Sequence, residues 1–246
     1  MFKLFLLSIL VPLAAAAQQE SQKTVVLVHG AFADGSSWDR VIPLLQAKGL
    51  KVVAVQNPLT SLADDVAATK RALDASTGPV ILVGHSWGGT VITEAGAHDK
   101  VAALVYVAAF APDAGQSSND LGKDGPPPPG LANIRPDSAG FLSLTPESVA
   151  RDFAQDLPAA QTAVMAVTQG PIFGKTFDEK VANGAWKSKP SWYIVAEKDR
   201  MIQPDLQRAM AKKINAKTIF LPTSHVPMLS RPNDVATVIL AAAAVR

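Results

Sequence analysis

Strand-like and helix-like patterns alternate along this chain, which places it in the α/β class with a mostly parallel sheet covered by helices on both faces. The strand-like runs are continuous and β-branched, as strands buried on two sides require, and amphipathic stretches separate them. Bulk composition agrees. The 246 residues are 48% hydrophobic and 18% charged, enough apolar material for the core of one large domain and too little charge for a disordered chain.

The elements follow in order. Thr24-Val25-Val26-Leu27-Val28 is the first strand, and Lys51–Val55, Val80–Val83, Ala103–Val107, Trp192–Ala196 and Thr218–Leu221 repeat its character. Helices are expected over Trp38–Lys48 and over Leu62–Leu73, the latter with Ser61 as N-cap and Asp64 and Asp65 in a first turn that favours negative charge. Leu206–Ile214 and Val235–Val245 read as further helices, the last capped by Asn233 or Asp234. One stretch breaks this rhythm, from about 112 to 190. It holds Gly125-Pro126-Pro127-Pro128-Pro129-Gly130, which can be neither helix nor central strand, and two expected helices, Pro146–Asp156 and Pro158–Gln169. An excursion of that length between sheet strands is either a lid over a site or a surface insertion.

Several classes of function are excluded. With no cysteine, the chain cannot build a disulfide scaffold, a thiolate zinc site or an iron–sulfur centre. A net charge of +2 from 23 basic and 21 acidic residues, without runs of like charge, gives no electrostatic case for nucleic acid. Lys3, the apolar run Leu4–Leu13 and the small residues Ala14–Ala17 have the layout of a secretory signal peptide, with cleavage expected before Gln18 and export of residues 18–246 as a single domain. That apolar run is short for a membrane span, which needs roughly 20 residues, so no lasting anchor is expected.

Gly84-His85-Ser86-Trp87-Gly88-Gly89 lies directly after one strand and before the helical Thr90–Glu94, so this G-x-S-x-G sits in the strand–turn–helix context that gives it meaning. The glycines allow a sharp reversal that lifts Ser86 above the sheet edge, and the next helix turns its N-terminal N–H groups toward any developing anion. A serine hydroxyl needs a base. Of the four histidines, His225 stands on the loop after the last strand, at the same carboxyl edge as Ser86. The base needs an orienting carboxylate, and Asp199 follows the strand Trp192–Ala196; Glu197 and Asp113 compete with it. Backbone N–H groups of the turn after the first strand, from Ala31 or else Phe32, together with that of Trp87, are the candidate oxyanion donors. His29 is expected to brace this turn rather than react.

At this point the sequence resembles the α/β-hydrolases, and within them the branch of plant methylesterases, hydroxynitrile lyases and small bacterial esterases. The resemblance rests on Val28-His29-Gly30-Ala31, on Gly84–Gly89, on Ala108-Ala109-Phe110-Ala111-Pro112-Asp113, and on the positions of Asp199 and His225. It implies the α/β-hydrolase fold, with a sheet of about six parallel strands and a helical cap from about 112 to 190. For the site it implies Ser86, Asp199 and His225 as catalytic residues and Ala31 and Trp87 as oxyanion donors. The lyases carry Thr and Lys where this chain has Gly30 and Val226, so cleavage of small-molecule esters is the implied reaction, without metal or organic cofactor. Trp87, Phe32, Phe110, Phe141 and Met228 are the expected substrate contacts. Two rival readings keep this fold: perhydrolase or haloperoxidase-like chemistry on the same triad, and a non-catalytic small-molecule binder.

Overall fold

A computed structural model describes residues 22–245, so the expected signal peptide lies outside the described residues. Nine strands occur. Six of them, β1 (Thr24–Val28), β2 (Lys51–Val55), β3 (Val80–His85), β4 (Val101–Val107), β8 (Ser191–Ala196) and β9 (Lys217–Leu221), form one sheet in the order β2-β1-β3-β4-β8-β9. Every pairing in it is parallel. All six carboxyl ends therefore lie along one edge, where the sequence places its candidate site.

The sheet forms because its central strands have nothing polar to present. Val25–Val28 and Val80–Val83 are fully buried, as strands covered on both faces must be. Helix Leu62–Asp74 is capped as expected, Ser61 Oγ accepting the Asp64 N–H at 3.0 Å while its own hydroxyl donates to Asp64 Oδ2. Other boundaries differ. The stretch 38–48 splits into a 3₁₀ turn, Gly35–Trp38, and a short helix, Ile42–Gln46, because Asp34 caps early and Pro43 suits only a first turn. The last helix begins at Pro232 with no side-chain cap, and Asp234 sits inside its first turn, paired with Arg231 at 2.7 Å.

Between β4 and β8 the chain builds the cap, which is mixed rather than purely helical. β5 (Ile134–Pro136), β6 (Phe141–Leu144) and β7 (Ile172–Phe173) form a small antiparallel sheet. The helix expected over 146–156 is instead one α-turn, Pro146–Ser148, running into a π-helical turn, Val149–Phe153, whose Ala154 N–H reaches back to the Val149 carbonyl at 2.9 Å. Ala159–Thr168 is helical as expected. The proline run is not wholly irregular, because its last proline opens a 3₁₀ turn, Pro129–Asn133, where a proline's missing N–H costs nothing, and there the Gly130 N–H is tied to the Arg200 carbonyl at 2.9 Å.

Candidate active site

The turn after β3 gives Ser86 a backbone conformation that side chains rarely adopt, φ 53° and ψ −121°, held by the Ser86 N–H on Val107 O and by Phe110 N–H on Ser86 O. Such a turn closes only if the helix behind it comes against the neighbouring strand. A Cβ on Gly88 would lie 2.5 Å from the Val28 carbonyl oxygen and 2.8 Å from that of His29, so only glycine fits. Gly30 is equally confined, since a Cβ there would fall 2.6 Å from Ser86 Cβ. No hydroxyl-bearing side chain can stand at position 30 on this backbone.

His225 and Asp199 meet above the sheet edge. The imidazole Nδ1–H donates to Asp199 Oδ2 at 2.6 Å, with both side chains buried. That carboxylate is fully engaged. Its Oδ1 accepts the Met201 and Ile202 N–H groups at 2.7 and 3.0 Å, and its Oδ2 also takes Gln207 Nε2 at 2.7 Å. Gln207 is itself locked, donating to Ile202 O and accepting the Ala196 N–H. With the proton fixed on Nδ1, His225 keeps Nε2 free as an acceptor. The competing acids are spent elsewhere, Asp113 on Lys187 at 2.6 Å and Glu197 on Arg208 at 3.3 Å, both at the surface.

Ser86 and His225 open into the same cavity, about 770 Å³, whose wall also includes Ala31, Phe32 and Phe110. Trp87 opens the helix after Ser86, so its N–H has no carbonyl within that helix to meet. Three expected substrate contacts lie elsewhere. The Trp87 indole is buried, its Nε1–H donating to Asp65 Oδ2 at 2.8 Å. Phe141 packs on Phe173, because strand alternation turns Leu142, not Phe141, toward the cavity. Met228 is fully buried in the main core on the short helix Pro227–Ser230.

Two further histidines, His29 and His85, are structural. His29 Nε2 accepts the Asn57 N–H at 2.9 Å and its Nδ1 faces Gly30 O at 2.8 Å, which braces the first turn as expected. His85 donates Nε2–H to the His225 carbonyl at 2.8 Å, while its Nδ1 is buried without a partner. Burial holds both imidazoles below their ordinary range, and at His85 the neighbouring His225 adds to it. Below pH 6.5 each is therefore protonated more readily in the unfolded chain than in the fold, which costs at most about 1.4 kcal/mol per pH unit apiece. Asp65 acts in the opposite sense. Its burial pushes the carboxyl up to about 6, so its protonated form favours the fold at acid pH, an advantage lost as pH rises through that value. The net expectation is a stability that falls by about 1–2 kcal/mol from pH 6.5 to pH 5 in urea denaturation. A flat or rising stability over that interval would show that these imidazoles are charged in the fold.

Known proteins resemble this chain over most of its length. A pyrethroid hydrolase of Sphingobium wenxiniae is 30% identical over 253 residues, covering 87% of this chain and 85% of its own. Methylesterase 3 of Arabidopsis thaliana is 28% identical over 261 residues, covering 91% of this chain and 97% of its own. Among solved structures, a pyrethroid hydrolase superposes with a TM-score of 0.79 at 27% identity, over 90% of this chain and 97% of that one. A polyneuridine aldehyde esterase shares the fold, with a TM-score of 0.77 at 21% identity over 90% of this chain and 99% of that one. The description of the alpha/beta hydrolase family matches residues 25–238, from the first strand into the last helix, and the chain belongs to that family.

Proposed function

We propose that the protein is a serine esterase that cleaves carboxylic esters of small, largely apolar molecules through an acyl-enzyme. The observation that carries this reading is the His225–Asp199 contact at 2.6 Å, on a base that shares one cavity with Ser86. The fixed tautomer leaves His225 Nε2 to take the Ser86 proton as Oγ attacks the ester carbonyl carbon. The N–H groups of Ala31 and Trp87 hold the resulting oxyanion. As the intermediate collapses, the C–O bond to the alcohol breaks and His225 returns the proton to the leaving oxygen. Water, deprotonated by the same imidazole, then releases the acid and restores Ser86.

Phe32, Phe110, Leu142 and Phe177 on the cavity wall support an apolar acyl or alcohol group. Relatives whose names denote methylester and pyrethroid cleavage point the same way. Ester cleavage is favoured over cyanohydrin chemistry because Gly30 has no room for a hydroxyl side chain and Val226 offers no charge. A fluorophosphonate probe should label Ser86, located by peptide mass spectrometry, and a panel of p-nitrophenyl esters should turn over with a preference for apolar acyl groups. An unlabelled Ser86 together with an inert panel would overturn the reading and restore the non-catalytic binder.

A further inference from the structure

A single short run of the cap touches both loops that carry the His–Asp pair. Asp152, fully buried in the π-helical turn, places Oδ1 2.8 Å from Nε of Arg200, the residue after Asp199. Phe153 sets its ring edge-on against His225, 5.1 Å between centroids. Just beyond the turn, Gln155 Nε2 donates to the carbonyl of Lys198, the residue before Asp199, at 2.6 Å. Asp156 Oδ2 then accepts the N–H of Ser224, the residue before His225, at 2.9 Å. The acid loop is thus held on both sides of Asp199, and the base loop is held one residue ahead of the imidazole.

A regular α-helix would not present these groups in this way. The wider π-turn adds a residue to the circuit, and π-turns recur where side chains must be re-aimed at a site. Here the turn directs Asp152 and Phe153 inward together, and the chain leaving it carries Gln155 and Asp156 over the two loops.

We propose that the segment Asp152–Asp156 is a positioning clamp, which sets the placement of His225 relative to Ser86 and Asp199, with Asp156 as the residue that fixes the base loop. The proposal rests on the triad assigned above. Its physical content is that losing one tether lets the imidazole drift, and a displacement of about 1 Å can cost about 10²-fold in rate.

Asp156 is exposed, so substituting it leaves the core intact. Asp156→Ala is expected to lower kcat on a p-nitrophenyl ester by about ten- to a hundredfold with KM changed less than about twofold. The rate of fluorophosphonate labelling at Ser86 should fall in parallel. Asp156→Asn keeps an oxygen that can accept the Ser224 N–H and should restore both rates to within about threefold of the parent. An Ala variant with parental kcat and labelling, whatever its melting temperature, would overturn the clamp, as would an Asn variant as slow as Ala. A wrong triad looks different: the parent itself would resist labelling, or Ser86→Ala would remain active.

Discussion

Ser86→Ala is expected to lower turnover of a p-nitrophenyl ester by roughly 10⁴-fold or more, with the fold unchanged. The side chain lost is a single oxygen at the cavity surface, and the strained backbone around it is held by hydrogen bonds from Phe110 and to Val107 that alanine retains. The remaining rate would come from the oxyanion donors and binding alone. Steady-state kinetics with circular dichroism as a control would check it, and a variant retaining a tenth of parental activity would remove Ser86 from the mechanism.

Asp199→Asn should be nearly as costly, about 10⁴-fold in kcat, for a different reason. Four N–H groups converge on this carboxylate, two at each oxygen. An asparagine that keeps its oxygen on Met201 and Ile202 must turn its NH₂ toward Gln207 and His225. Gln207 cannot reverse its amide without losing Ala196 and Ile202. His225 must then accept at Nδ1 and carry its proton on Nε2, the nitrogen that in the proposed mechanism receives the Ser86 proton. The unmatched donor at Gln207 should also lower stability by about 1–3 kcal/mol. Kinetics and urea denaturation together read both effects, and a variant within tenfold of the parent in kcat would show that the tautomer is set elsewhere.

Legibility in the sequence followed the physics of each region. The six parallel strands are readable because strands covered on both faces are apolar without interruption, and the sequence alone puts Ser86, Asp199 and His225 just past their carboxyl ends. The cap was much less readable. β5, β6 and β7 are three, four and two residues long, and β5 includes Pro136, so none carries a recognisable alternation. The π-turn at Val149–Phe153 has the same apolar spacing as an α-helix over so few residues, and only its hydrogen bonds tell them apart. Side-chain direction was also out of reach. The sequence offers Phe141 as an aromatic for the cavity, but one step along the strand gives that place to Leu142. Gln207, essential to the carboxylate cage, looks like any solvent-facing helix residue until its burial is seen.

The close fit at Gly88 divides the molecule into parts that tolerate substitution very differently. Because the carbonyls of Val28 and His29 leave no room beside it, the support beneath Ser86 admits almost no variation, and even one methyl group there must push strand and helix apart. The far wall of the cavity is under no such constraint: Leu131 is nearly half exposed and Leu142 sits on a small peripheral sheet. Libraries meant to redirect the enzyme to new compounds should therefore concentrate diversity on that wall and leave the serine's cradle untouched.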